Sequence, residues 1–94
     1  MPTLQIEHDV QDYDSWKKLF DSDPIGRKKS GVSRYRIYRP SDKPSSVIID
    51  LDFDEMANLL IALDALKKLW GNIPGSVMAN PVSRIFELME SKEL

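Results

Sequence analysis

His8 is the only histidine of the chain and stands in the stretch IEHDV, between Glu7 and Asp9. Imidazole is the side chain best matched to proton transfer near neutral pH, so a cavity-facing His8 would take a proton from an acidic carbon or a phenol. A general base also needs an orienting group. Asp50 and Asp52, in VIIDLDF, are the best-supplied carboxylates for that role. Arg34, Arg36 and Tyr38 alternate through RYRIY and share one side of an extended chain. Facing inward, two guanidiniums and a phenol would grip an anionic or enolic ligand as charge develops on oxygen. The catalytic candidates are therefore His8, Asp50 and Arg36, with Trp16, Arg34, Tyr38 and Asp52 as pocket residues. Each has a plainer reading. His8 is otherwise a satisfied wall histidine or binds a ligand without chemistry, and the arginines are a solvated surface or ion-pair partners of Asp50, Asp52 and Glu87. Trp16, with Tyr13 and Phe20, otherwise packs a helix onto a sheet.

Other chemistries find little to work with. Without cysteine there is neither a disulfide framework nor a thiolate site. A metal would need His8 with Asp50 and Asp52, and a haem could be ligated by His8 only; no HxH or HExxH pattern supports either, so no metal and no cofactor are expected. Glycines at 26, 31, 71 and 75 are too scattered for a phosphate-cradling loop. The run NPVS at 80–83 is no glycosylation acceptor, because proline fills its middle position. A net charge of −2 argues against a nucleic-acid partner, the local exception being RKK at 27–29 with Arg34, Arg36 and Arg39; strand alternation sends these last three to opposite faces. No stretch approaches a membrane span or a secretory leader, and a cytoplasmic location is the default expectation.

The elements that must position these residues follow from periodicity. Leu4, Ile6, His8 and Val10 alternate with Gln5, Glu7 and Asp9, a strand with one covered face, and His8 falls on its apolar side. From Asp12 to about Asp21, Tyr13, Trp16, Leu19 and Phe20 form a helix stripe, with Asp12 or Asp14 in position to cap it. A further turn ends at Ser30 and Gly31. Residues 32–39 and 47–53 read as strands joined by the short Ser41–Pro44 turn, hence an antiparallel hairpin. Asp54 caps a helix over 55–70, striped by Leu59, Leu63, Leu66 and Trp70 and broadened by Met56, Leu60 and Leu69. After the GNIPG segment, residues 82–89 supply a fourth strand.

The 94 residues therefore form a single domain of β-α-β-β-α-β order, a ferredoxin-like fold with two helices on one face of a four-stranded antiparallel sheet. Apolar residues fall on both faces of the later strands, and helices cover only one. Two sheets packed face to face across a two-fold axis would bury the other, with Ile48 and Phe86 in the interface of a homodimer.

The stretches HDVQDYDSWKKLFD at 8–21, GVSRYRIYR at 31–39, VIIDLDFDEMANLL at 47–60 and GNIPGSV at 71–77 together resemble the dimeric α/β-barrel superfamily, which includes the antibiotic-biosynthesis monooxygenase-like and cyclase-like small proteins. The resemblance covers nearly the whole chain. It implies a dimer with a pocket between sheet and helices or inside the barrel, and a small organic ligand. It also implies, as the alternative to simple binding, a cofactor-independent oxygenase or isomerase acting on an aromatic, phenolic or enolisable compound. In the monooxygenase-like relatives a tryptophan, an asparagine and a histidine or arginine work together around a polycyclic phenol. Asn58, Asn72 and Asn80 do not match that pattern.

Overall fold

The computed structural model describes residues 2–75 and 78–94; Met1, and Ser76 and Val77 of the GNIPGSV turn, lie outside the described residues. The elements run β1 (Pro2–Asp9), α1 (Tyr13–Asp21), β2 (Val32–Tyr38), β3 (Ser46–Phe53), α2 (Met56–Trp70) and β4 (Ala79–Glu87). They form a sheet of order β2-β3-β1-β4 in which every neighbouring pair is antiparallel, the expected ferredoxin-like arrangement. No helix among the described residues is long and apolar enough to cross a membrane.

The register separates the two faces. Leu4 lies opposite Leu51, Ile6 opposite Ile49 and His8 opposite Val47. Directly opposed residues of an antiparallel pair project from the same face, so these six make one surface. Trp16 of α1 and Leu59 and Ala62 of α2 join them in the buried core, with Phe53, Val10 and Met78. The other face consists of three rows crossing the sheet: Arg34, Asp52, Thr3 and Phe86; Arg36, Asp50, Gln5 and Arg84; Tyr38, Ile48, Glu7 and Val82.

Two bulges tune this pattern. Between Glu7–Val82 and Asp9–Ala79 the ladder places Asn80 and Pro81 against the single residue His8. Asn80 adopts φ 55°, the left-handed region that asparagine tolerates, while Pro81 could donate no ladder hydrogen bond in any case. On the β3 side, the carbonyl of His8 accepts from Ser46 Oγ at 3.0 Å. In β2, Ser33 is the extra residue between Val32–Phe53 and Arg34–Asp52. That insertion puts Arg34 on the aspartate face rather than under the helices.

Several boundaries differ from expectation. Helix α2 begins at Met56 with Glu55 at the N-cap, not Asp54, and Glu55 makes no side-chain capping bond. Its buried stripe runs through Leu59, Ala62, Leu63, Leu66 and Trp70. Leu60 is exposed because it follows Leu59 by one residue, about 100° round the helix, and Met56, although three residues before Leu59, is exposed at the first position of the helix. Strand β4 starts three residues earlier than expected and stops at Glu87, the bulge at Asn80 and Pro81 letting a proline-containing segment pair at the sheet edge.

Candidate functional site

The helix-facing side of the sheet encloses a cavity of about 70 Å³ lined by Ile6, His8, Trp16, Phe20, Ile49, Leu51, Leu66, Leu69, Trp70, Ile73 and Met78, with Asp23, Ile25 and Arg27 closing one side. A single water needs roughly 10–15 Å³ measured this way, so the space is that of about five waters, or one aromatic ring.

His8 is 3% exposed within this wall. Its ring lies 5.2 Å from that of Trp16, which in turn meets Phe20 at 5.3 Å and Tyr13 at 5.7 Å. The orienting group for the imidazole is neither flanking carboxylate. Nδ1 lies 3.2 Å from the main-chain oxygen of Asp9. A carbonyl can only accept, so this contact assigns the proton to Nδ1 and leaves the lone pair on Nε2. The carboxylate of Asp9 is engaged elsewhere, with Lys43 Nζ at 3.2 Å and Asn80 Nδ2 at 3.1 Å. Burial pushes the His8 pKa down from its usual value, against smaller upward pulls from the Asp9 hydrogen bond and charge. His8 is thus a neutral base held in an apolar wall.

The pH consequence has a definite sign. With a folded pKa below its unfolded value of 6.5, His8 binds a proton more readily in the unfolded chain, so stability falls as pH drops through 6.5. The carboxylates with lowered pKa values, Asp9, Asp12 and Asp52, lose their contributions only below about pH 3.8. Thermal unfolding followed between pH 7 and 5 should therefore show a declining midpoint that His8→Asn flattens. A wild-type midpoint constant over that interval would mean that the imidazole is not held neutral.

The aspartates lie on the other side of the sheet. Asp50 is opposite Gln5 and Asp52 opposite Thr3, whereas His8 is opposite Val47. The expected His8–Asp50 or His8–Asp52 pair is therefore corrected: alternation sends the two sets through opposite faces, and no choice of register brings them together without flipping a strand. The same geometry separates His8 from Arg36 and denies the metal set of His8, Asp50 and Asp52. Trp16 shares the cavity with His8; Arg34, Tyr38 and Asp52 do not.

On the open face Asp52 is saturated. Its Oδ1 accepts from Thr3 Oγ1 at 2.7 Å and Arg36 Nη2 at 3.2 Å, and its Oδ2 from Arg36 Nη1 at 2.9 Å and Arg34 Nε at 3.2 Å. The bidentate Arg36 is the main cause holding the Asp52 carboxyl down at about 2, with Thr3 and Arg34 adding to it. Asp50 accepts from Gln5 Nε2 at 3.1 Å and lies 3.6 Å from Arg36 Nη2. Arg36 thus turns both terminal nitrogens to Asp52 and Asp50, on the sheet face away from His8. Nearby, a shallow groove runs past Thr3, Gln5, Arg36, Asp50, Phe86 and Met89.

Two cavity contributors escaped the sequence reading. Trp70 ends a helix stripe and reads as core, and Arg27 reads as part of a basic run. Lys28 and Lys29 of that run are exposed; the Arg27 guanidinium turns inward, 4.0 Å from the Phe20 ring centre and 4.9 Å from that of Tyr35. No local periodicity distinguishes these fates.

No family model matches the chain, and no curated protein matches it in sequence. Solved structures do. SnoaB, a cofactor-independent oxygenase from Streptomyces nogalater, superposes with a TM-score of 0.69 at 14% identity over 96% of this chain and 94% of its own. A dimeric ferredoxin-like protein from an uncultured marine organism gives 0.66 at 12% identity, covering 97% of each chain. An antibiotic biosynthesis monooxygenase gives 0.62 at 11% identity over 96% of this chain and all of its own. What the chain shares with them is the fold, in agreement with the superfamily that its sequence resembles.

Proposed function

We propose that the protein acts as a homodimer that binds a small organic molecule, the size of one aromatic ring, in the helix–sheet cavity, with His8 as the inner hydrogen-bond acceptor. The observation that carries this reading is the cavity itself: aromatic and aliphatic walls around a single neutral imidazole whose Nδ1 is already satisfied. Apolar walls with few convergent polar groups are what small-molecule sites require. Dimerisation is supported by the helix-free sheet face, where Tyr38, Ile48, Val82 and Phe86 interleave with charged residues and Val82 is 58% exposed. A second sheet packed there would cover them, with Ile48 and Phe86 at the contact. The dimeric ferredoxin-like structure of the same fold supports the same assembly.

A second reading is favoured by one specific feature, the neutral His8. In a cofactor-independent oxygenase or isomerase, Nε2 would take the proton of a phenolic or enolisable substrate as negative charge moves onto the ring, and the dry walls would exclude water. SnoaB, of the same fold, is named as a cofactor-independent oxygenase. His8 would work without Asp50 or Arg36, which face away.

Native mass spectrometry of freshly purified protein tests the binding reading. Two chains carrying one small extra mass per chain, or two chains that acquire it from a panel of single-ring aromatics, are expected. In the same panel the indole N–H resonances of Trp16 and Trp70 should shift. Unmoved resonances across the panel would sink the cavity as a binding site. Ile48→Glu should convert the dimer to a folded monomer; a variant that still elutes as a dimer would place the interface elsewhere.

A further inference from the structure

We propose that Arg27 is the anion-binding residue of this cavity, so that its ligand is a single-ring aromatic carboxylate held with the carboxylate at the rim and the ring inside. The inference rests on the cavity being a binding site and names the class of ligand it takes. Among the described lining residues, Asp23 and Arg27 are the two that carry charge, and both come from the segment between α1 and β2. The Arg27 side chain is only 18% exposed. Its guanidinium is fixed from several sides: it stacks on Phe20 and Tyr35, Nη1 donates to the Phe20 carbonyl at 2.7 Å, and Nε lies 3.6 Å from Asp23 Oδ1.

That contact inventory leaves donors over. A guanidinium has five N–H groups in a rigid fork. One goes to the Phe20 carbonyl, and the Asp23 contact is too long for a good hydrogen bond. The same Asp23 oxygen accepts the Arg27 main-chain N–H at 2.8 Å, which ties the turn to itself. Both N–H groups of Nη2 and one of Nη1 have no partner among the described residues, which leaves the Nη1–Nη2 edge for a ligand, and Nη2 reaches solvent there, since no buried side-chain nitrogen lacks a partner. Arg36 makes the contrast, because both of its terminal nitrogens are matched to Asp52. A largely buried, immobilised guanidinium with an unmatched edge is suited to a carboxylate, which accepts two parallel N–H bonds and offsets the cost of desolvating the charge.

Orientation follows from the other polar group. His8, 3% exposed at the inner end, offers a lone pair and no positive charge, so a carboxylate placed there would meet an acceptor. A carboxylate at Arg27 keeps its remaining oxygen edge near solvent while the ring packs against Phe20 and Trp16. The available space limits that ring to one.

The test is titration of the full chain with two matched pairs, benzoate against benzamide and phenylacetate against phenylacetamide. Calorimetry would report affinity and the Trp16 and Trp70 indole resonances the location. In at least one pair the carboxylate should bind about tenfold or more tightly than its amide, the scale expected of a charge-assisted bidentate pair. Arg27→Gln should reduce the carboxylate to the level of the amide and leave the amide unchanged, whereas Arg27→Lys should keep part of the preference. Equal binding of acid and amide with both indoles shifted would overturn the role of Arg27 and leave the cavity site standing. Binding of neither, with unmoved indoles, would remove both. Should Arg27→Gln fail to fold, the acid–amide comparison on the unaltered chain decides by itself.

Discussion

Asp52→Ala should lower stability by about 3 kcal/mol, near the lower end of what removing one partner of a buried ion pair costs. The carboxylate is 8% exposed and accepts from Thr3, Arg34 and Arg36. Removal leaves two guanidiniums facing each other on adjacent positions of one sheet face, together with an unpaired hydroxyl. In a domain of this size each kcal/mol is worth roughly 4–8 °C, so the midpoint should fall by more than about 10 °C. Calorimetric melting measures it, and a fall of under about 3 °C would show that the network is not holding β1, β2 and β3 in register. Arg34→Ala is the control. That side chain is 71% exposed and makes one of the four contacts, so solvent screening should keep its cost below about 1 kcal/mol. The acid limb adds an independent signature. With its pKa near 2 against 3.8 unfolded, Asp52 stabilises the fold at every pH above 3.8 and loses that contribution as pH falls towards 2. The shift corresponds to on the order of 2 kcal/mol, which Asp52→Asn should remove from the acid unfolding profile.

Trp16→Ala should cost about 3–5 kcal/mol, the range for deleting a large aromatic from a packed interior. Trp16 is buried and is the central ring of a chain that includes His8, Tyr13 and Phe20. Small domains hold only about 5–15 kcal/mol in total, so the variant should be marginal at room temperature. The void opens into the existing cavity, which gives the deletion a specific rescue: added indole should raise the melting midpoint of Trp16→Ala and leave Trp16→Phe little changed. Denaturant unfolding gives the free energy. A loss below about 1 kcal/mol would mean that α1 is not anchored through this ring.

These two residues also divide what was legible in the chain from what was not. Trp16 was readable as the buried residue of the first helix because its spacing from Tyr13, Leu19 and Phe20 marks one side of a 3.6-residue period. Asp52 was readable as lying on the face opposite Val47, Ile49, Leu51 and Phe53, since side-chain direction reverses at every strand residue. The same rule places His8 with Leu4, Ile6 and Val10. Carried through both strands at once, it already argues against a His8–Asp50 pair, because two apolar faces in one sheet bury themselves under the same helices. The neutral, main-chain-oriented His8 was not legible, because its partner is the Asp9 carbonyl and a carbonyl leaves no mark in a sequence.

Sequence alone determined the order of elements, the hairpin between β2 and β3, and which residues of each strand share a side, since these depend on periodicity over a few residues. The tertiary structure decided the rest. The extra residue Ser33 put Arg34 beside Asp52, the bulge set Asn80 and Pro81 against the single residue His8, and the fold of the segment after α1 turned Arg27 inward while Lys28 and Lys29 stayed outside. The two bulges are fixed by pairing between separate strands, where a one-residue change reverses which face a side chain occupies, and Arg27 is fixed by Phe20, Asp23 and Tyr35 meeting around one loop; neither shows in the local periodicity.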